Sequence, residues 1–392
     1  VLRLRTVPVT VCLSGALCGL LASCGGGSGA FDTHSSGPAP ETASPSPTTG
    51  APTAPATGSD SASPGPPSAS PSGPPRVIGT VANGLEVPWG IGFLPDGSAL
   101  VTERDSGRVL RVAGGRTSEV GRIDQTRPQG ESGLLGLAVS PSYAGDHRVF
   151  VYASTDRDNR VLRMTYDGTR LGRPTAILTG IPHGTIHDGG RLVFGPDGFL
   201  YVSTGETGVP GLAQQEGSLG GKILRITQDG APAPGNPDPH SPVWTLGHRN
   251  VQGLAFDDAG RLWASEFGQD TWDELNLIEK GTNYGWPEVE GRGSSSRFRN
   301  PQVVWPTDDA SPSGLAYLDG HLWLGALRGE RLWRVDVDGR RASRPADFFV
   351  GRYGRMRTVV VAPDGNLWVT TSNRDGRGDP AAGDDRILLV RP

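Results

Sequence analysis

From residue 76 onward the chain runs in short apolar bursts separated by tight polar turns, and one unit keeps returning. It is an apolar run, a Pro/Asp-Asp-Gly turn, then Leu-aromatic-Val-Ser/Thr. It reads GFLPDGSALVTE at 92–103, LVFGPDGFLYVSTGE at 192–206 and LAFDDAGRLWASEFG at 254–268. It returns as LAYLDGHLWLG at 315–325 and VVVAPDGNLWVTT at 359–371, with a looser copy, LAVSPSYAGDHRVFVYAS, at 137–154. Further strand-like runs follow several copies: GRVLRV at 107–112, NRVLRM at 159–164 and ERLWRV at 330–335. No window sustains a 3.6-residue period, so the pattern is β throughout.

The copies stand about 45 to 60 residues apart. Units of that length hold four short strands, and six of them predict a six-bladed β-propeller of four-stranded antiparallel blades. Closing such a ring removes exposed sheet edges. A pair of β-sandwiches would not repeat one turn signature at this interval. Trp263, Trp323 and Trp368 fall at one position of the repeat, and packing between blades is their expected role.

The N-terminal part reads differently. Arg3 and Arg5 precede a short apolar stretch that ends Leu21-Ala22-Ser23-Cys24, then Gly25-Gly26-Gly27. The stretch is too short for a comfortable membrane span. Its ending resembles a bacterial lipobox, so residues 1–23 are expected to be a lipoprotein signal peptide and Cys24 the lipidated residue. An ordinary signal peptide with a chance cysteine is the alternative. Residues 24–75 are Ser, Pro, Thr, Ala and Gly almost throughout. Such a segment cannot bury enough apolar surface to offset its ordering entropy, so it is expected to be a disordered tether. The expected location is extracytoplasmic, anchored to the bacterial cell membrane, with residues 76–392 as the propeller.

Charge and cysteine content narrow the chemistry. Net charge is −4 over 392 residues, which argues against a nucleic-acid partner. Lys222 and Lys280 are the only lysines, so a cationic site here is built from guanidinium groups. Cys12, Cys18 and Cys24 are the only cysteines; the propeller part holds together without disulfides.

Hairpin spacing gathers the polar residues. In an antiparallel hairpin, residues equidistant from the turn lie opposite each other. About a turn centred between Pro196 and Asp197, His187 and Glu206 are equidistant. About one centred between Asp258 and Ala259, Arg249 and Gly268 are. Arg355 and Arg357 precede VVVA, again at the end away from the turn. His187, Glu206, Arg249, Asn250, Arg355 and Arg357 therefore share one mouth of the ring, where a small ligand would bind. Taken singly, each has a plainer reading as a loop or surface residue; the convergence gives them weight. Histidine suits general-base work near neutral pH, with Glu206 on its other ring nitrogen. Arg249 could stabilise negative charge on an oxygen. The arginine pair with Arg328 suits a multiply carboxylated ligand. The loop FGQDTWDELNLI at 267–278 offers backbone carbonyls with Asp270, Asp273 and Glu274, an oxygen-rich set that suits calcium.

The segments HDGGRLVFGPDGFLYVSTGE, LGGKILRITQDG, LGHRNVQGLAF and DELNLIEKGTNYGWP, in this order, resemble the soluble glucose dehydrogenase and aldose sugar dehydrogenase family. The likeness spans roughly residues 77–390. It implies a six-bladed propeller that uses pyrroloquinoline quinone (PQQ) and Ca2+. By position it implies that His187 is the general base toward the sugar's anomeric hydroxyl. Glu206 stands where the family usually has an aspartate that orients this histidine. Arg249 matches an arginine near the quinone oxygens, and Asn250 and Gln252 match cofactor contacts. Arg355 and Arg357 match a pair on the cofactor's carboxylates; Arg328 stands where a lysine is common. Glu131 matches a polar position on the substrate side, often glutamine. Gly268 and Gln269 match carbonyl ligands of the calcium that holds PQQ, and Glu274 and Tyr284 match a second, structural calcium site. Gln269 and Val251 each replace a proline of the family pattern.

The expected function is therefore oxidation of an aldose at its anomeric carbon to the lactone, with a quinone or other small electron acceptor as partner. Two other readings stay open. One is a non-enzymatic surface propeller binding glycans or protein, as in the family's animal hedgehog-binding relatives. The other is a calcium-dependent lactonase, whose metal would need side-chain carboxylates and Asn in the channel.

Overall fold

The computed structural model describes residues 73–392. The signal peptide, the lipidated Cys24 and nearly all of the tether lie outside the described residues. The described chain forms six four-stranded antiparallel sheets in a ring. Their innermost strands are Pro88–Phe93, Leu134–Val139, Leu192–Phe194, Val251–Phe256, Pro312–Leu318 and Met356–Val361. Blades one to five each use four consecutive strands. Blade six takes Met356–Val361, Leu367–Thr371 and Ile387–Arg391 from the C-terminal end and adds Arg76–Ala82 on the outside. That N-terminal strand pairs with Ile387–Arg391, Thr80 facing Leu388, and so closes the ring.

The repeat signature maps onto the first two strands of every blade. The Pro-Asp-Gly or Asp-Gly turn joins them, and Gly97, Gly198, Gly260, Gly320 and Gly365 take the positive φ that such a turn demands. The looser second copy has a short helix, Tyr143–Asp146, in place of that turn. The Ser140 hydroxyl donates to Asp146 across it at 2.7 Å.

The innermost strands approach one another closely, and glycine makes room. A Cβ on Gly90 would lie 2.5 Å from the Leu137 nitrogen, on Gly136 2.1 Å from the Gly190 oxygen, and on Gly253 2.4 Å from the Ser313 oxygen. One on Gly314 would lie 2.6 Å from the Thr358 Cα. These four glycines occupy the same level of the ring. The ladder also slips a residue at that level, between Pro88 and Ile91, Leu134 and Leu137, Val251 and Gly253, Pro312 and Leu315, and Met356 and Val359. Such bulges free carbonyls from the ladder, and hydroxyls of neighbouring blades use them. Thr102 donates to the Leu135 oxygen at 2.5 Å, Ser265 to the Ser313 oxygen at 2.7 Å, and Thr358 to the Trp89 oxygen.

Below the glycine level the channel is apolar. Ile91, Leu137, Leu192, Leu254, Leu315 and Val359, one from each blade, line a space of about 220 Å³ toward the tight-turn mouth. At the glycine level blade three carries Arg191 instead. Its side chain is 8 % exposed and reaches three other blades. Nε donates to the Gln252 oxygen at 2.9 Å, Nη1 to the Trp89 oxygen at 3.4 Å and Nη2 to the Thr358 hydroxyl at 3.2 Å. It separates the apolar half-channel from the polar mouth.

The tryptophans pack between blades as expected. Trp263 of blade four is fully buried among Leu315, Leu322 and Leu324 of blade five. Trp323 of blade five meets Val359 and Leu367 of blade six, and Trp368 stands edge-on to Phe93 of blade one at 4.8 Å. Removing one of these rings leaves a cavity at a blade joint. Trp263→Ala is expected to cost about 3–5 kcal/mol, read as a lowered urea midpoint. An unchanged midpoint would refute the interlocking role.

Candidate active site at the polar mouth

The opening hairpin brings His187 and Glu206 into contact, by a route slightly different from ladder arithmetic. The ladder pairs Leu192 with Val202 and Phe194 with Leu200, so it centres on Asp197. Extended strictly, it sets His187 opposite Thr207, and the Thr207 N–H does donate to the His187 oxygen at 3.2 Å. His187 has left-handed backbone, φ 57°, and its ring turns so that Nδ1 bonds Oε1 of Glu206. Gly205 permits this: a Cβ there would lie 1.8 Å from the His187 oxygen.

One further carboxylate holds that histidine directly, and two groups support the arrangement around it. Glu131, from the loop before blade two, accepts the His187 N–H at 2.9 Å. Its other oxygen accepts Arg377 at 2.8 Å. Burial raises the Glu131 pKa, but the His187 N–H and Arg377 outweigh it and hold the carboxyl below its ordinary value. Glu131 was expected on the substrate side; it also anchors the backbone of the candidate base. Asn250 accepts the Gly189 N–H at 3.0 Å. Glu206 is 1 % exposed, and its Oε2 has no partner.

Arg249 and Asn250 sit where blades three and four join. The Glu206 N–H donates to the Arg249 oxygen at 2.9 Å and the Phe267 N–H to the Asn250 oxygen at 3.1 Å. The Arg249 guanidinium donates to the Phe267 oxygen at 3.3 Å and lies 5.5 Å from the centre of the Trp286 ring. Its Nε is buried without a partner. Burial lowers its pKa, opposed by Glu206, Glu131, Glu266 and Glu290. Glu266 accepts the Arg249 N–H and holds buried His248 at 2.8 Å.

Arg355 and Arg357 are together, buried, and share one carboxylate that sequence reasoning missed. Asp375 lies 3.0 Å from Arg355 and 3.5 Å from Arg357. Arg357 also donates to Gln252 at 3.2 Å, and Ser313 donates to the same amide oxygen at 2.9 Å. Burial pushes the Asp375 pKa up, but Arg357 and Arg355 hold it below its ordinary value. Arg104 joins the group, donating to the Asp375 backbone oxygen at 3.3 Å. Arg328 does not join it by contact: its side chain is 60 % exposed and ion-paired with Asp308.

The loop after Glu266 is built to present carbonyls. Glu290 accepts the N–H groups of Gln269, Asp270, Thr271 and Trp272 with one oxygen, at 2.7, 3.0, 3.0 and 3.0 Å. A peptide's N–H and C=O point opposite ways, so the Gln269 carbonyl and its neighbours turn away from that carboxylate. Asp273 is spent on the Gly268 and Ser311 N–H groups. Glu274 accepts the Gly291 N–H at 2.7 Å and Asn276 at 2.9 Å. Burial, with Glu266 close by, pushes Glu274 well above its ordinary pKa. The Tyr284 hydroxyl donates to Leu277 at 2.7 Å and accepts the Glu279 N–H at 3.0 Å. The hydroxyl is thus engaged with the protein as donor and as acceptor, which leaves the Tyr284 carbonyl the freer oxygen. Among the described residues no group of three or more His, Cys, Asp or Glu is arranged around a metal position, so a cation at this loop would have to be held by carbonyls.

These residues fit a flat, carboxylated quinone. Two buried polar atoms, Glu206 Oε2 and Arg249 Nε, lack partners at the mouth, and the arginine pair has one carboxylate between two cations. Of the missed residues, Arg377 reaches Glu131 from across the ring, Glu290 folds back onto the 269–272 loop, and Asp375 lies just past the second strand of the hairpin that carries Arg355 and Arg357. One signal was available. Second strands repeatedly run out into an acid, as Glu103, Glu206 and Glu266 do, and Asp375 extends that series.

Comparison with known proteins agrees with the propeller and gives its family. The model of the glucose/sorbosone dehydrogenase family matches residues 85–389. The chain belongs to that family. A solved structure, the PQQ-bound form of aldose sugar dehydrogenase from Streptomyces coelicolor, is 55 % identical with a TM-score of 0.80, covering 81 % of this chain and 98 % of that one. Aldose sugar dehydrogenase YliI of Escherichia coli is 27 % identical, covering 74 % of this chain and 89 % of its own. Quinoprotein glucose dehydrogenase B of Acinetobacter calcoaceticus is 34 % identical over 56 % of this chain and 54 % of its own.

Behind His187 stands a buried acid with a testable cost. Asp188 accepts Asn159 at 2.8 Å and the Gly184 N–H at 3.1 Å, and its second oxygen has no partner. Burial pushes its pKa up to about 7. The folded chain then holds this proton more tightly than the unfolded chain does. The resulting stability is full below the unfolded value of 3.8 and is lost as pH rises through about 7. That loss is on the order of 2–4 kcal/mol. Asp188→Asn keeps an acceptor for both donors and removes the titration. Its urea midpoint is expected to fall less than wild type between acidic and mildly basic pH; parallel pH profiles would refute the assignment.

Proposed function

We propose that this protein oxidises an aldose at its anomeric carbon to the lactone, using PQQ and calcium. The observation that carries the reading is the His187–Glu206 contact at the polar mouth. Glu206 occupies Nδ1 and leaves Nε2 as the ring nitrogen for the sugar. His187 takes the proton of the anomeric hydroxyl, and the buried Glu206 carboxylate stabilises the charge that forms on the ring. PQQ, when bound, would supply the two-electron acceptor for the hydride of the anomeric carbon, which balances the proton that His187 removes. Arg249 offers its unpartnered Nε to oxygen charge that develops in that transfer. Arg355 and Arg357 hold carboxylates, with Asn250 and Gln252 completing the mouth. Gly268 and Gln269 would ligate the calcium through their carbonyls; Glu274 and the Tyr284 carbonyl would hold a second ion. Electrons pass on to a quinone or dye-like acceptor. Lipidation at Cys24 would hold the enzyme outside the cell membrane, and metabolic labelling with a palmitate probe, lost in Cys24→Ala, tests it.

The lactonase reading needs a metal held by channel carboxylates, and the buried arginines would then have no role. A binding-only propeller leaves the His187–Glu206 contact without work. Sugar-dependent dye reduction by the purified protein with PQQ and Ca2+ separates these. His187→Ala is expected to lower turnover by about 10²–10⁴-fold while PQQ stays bound by absorbance. A fully active variant would remove His187 as the base, and no dye reduction across a panel of aldoses would sink the enzyme reading.

A further inference from the structure

Arg191 is a buried cation without an anion. Every one of its hydrogen bonds goes to a neutral oxygen, those of Gln252, Trp89 and Thr358. Its guanidinium lies over the Trp89 ring at 4.2 Å. Among the described residues no carboxylate forms an ion pair with it. Arg357, itself buried, approaches the same Trp89 ring at 5.9 Å. Both arginines also meet Gln252, Arg191 at its backbone oxygen and Arg357 at its side chain. Arg355 and Arg357 have Asp375 between them. Arg191 and Arg357 thus meet at Trp89 and Gln252, and the one carboxylate beside them, Asp375, pairs with Arg357 and Arg355 and not with Arg191.

An uncompensated buried charge is expensive. Nothing in the ring's architecture requires it. At the same level four blades carry glycine, and blade six carries Thr358. An apolar side chain in blade three would continue the apolar half-channel beneath. Burial, with Arg357 adding to it, lowers the Arg191 pKa to about 9, so it remains a cation at neutral pH.

We propose that Arg191 is a positioning residue for the anionic cofactor: it closes the floor of the mouth, and its charge is balanced when carboxylates enter above it. This rests on the PQQ reading. Arg191 acts through Gln252 and Arg357, which line the mouth, and through its field, which its burial leaves little screened. The cofactor gains attraction from a group it does not need to touch. The half-channel below is lined otherwise by apolar side chains, which offer the guanidinium no counter-charge from that side.

The test is PQQ binding by the whole protein at fixed Ca2+, for wild type, Arg191→Met and Arg191→Lys. Methionine keeps the length and loses the charge; lysine keeps the charge. Loss of one screened charge at this range predicts about tenfold weaker binding for Arg191→Met, and Arg191→Lys is expected to recover most of it. A plug with only a structural role predicts a shifted melting temperature of the apoprotein but a dissociation constant within about twofold of wild type. That result overturns the proposal, as does a lysine variant as weak as the methionine one. If Arg191→Met does not fold, the wild-type protein decides. The Arg191 Nε–H resonance, assigned by its disappearance in Arg191→Lys, should shift on adding PQQ, and an unmoved resonance overturns the proposal. Wild type that binds no PQQ would sink the functional reading instead, so the two failures are distinct.

Discussion

Six strands can converge on one axis only where their backbones are allowed to touch. Gly90, Gly136, Gly253 and Gly314 supply that permission, each at a position where a Cβ would strike the next blade. The slips in the ladder fall at the same level. Together they divide the inner strands of these four blades into two parts with different tasks. Below the slip the strand is regular, and alternate side chains fill an apolar channel. Above it the backbone splays, frees carbonyls and turns side chains of Gln252 and Arg357 toward the mouth. The chemistry of this molecule depends on that change of character within a few residues.

The polar mouth is held by loops that answer one another across the ring. Arg377, from blade six, reaches Glu131, from the entry to blade two, and Glu131 in turn fixes the backbone of His187, from blade three. Asn250, from blade four, holds Gly189 beside it. A histidine in a left-handed backbone conformation is not held by its own strand. It is held by its neighbours, and the ring supplies them from several directions. Such a site is therefore sensitive to closure of the whole ring, which depends on Arg76–Ala82 zipping onto Ile387–Arg391.

The sequence was informative where the physics is local. A Pro-Asp-Gly turn and the strands beside it announce themselves, and six copies define the ring. The same turns located His187, Glu206, Arg249 and the Arg355–Arg357 pair at one mouth, because distance from a turn measures height along a blade. Height says nothing about direction around the ring or about what a side chain finds there. Arg328 has the right height and points to Asp308 at the surface. Arg377 and Glu290 have partners on other elements, which spacing within one hairpin cannot reveal, and Asp375 lies just past the second strand of the hairpin that carries Arg355 and Arg357, where the ladder has ended. The one-residue offset at His187 has a similar cause: two glycines and a left-handed residue precede the strand, and turn arithmetic assumes a regular ladder.

Arg191 shows the limit of pattern reading most sharply. In sequence it is an arginine before an apolar run, indistinguishable from a surface residue. Only the ring reveals that its equivalents in four other blades are glycine, and that the space those glycines leave is where its side chain goes. Glycine serves two ends at once here. It lets the strands meet, and it clears an axial gap that a single long side chain from one blade can span. A symmetric ring would place the same residue six times at its centre, and six guanidinium groups could not coexist there. One substitution in one repeat breaks that symmetry and turns an open channel into a mouth with a floor.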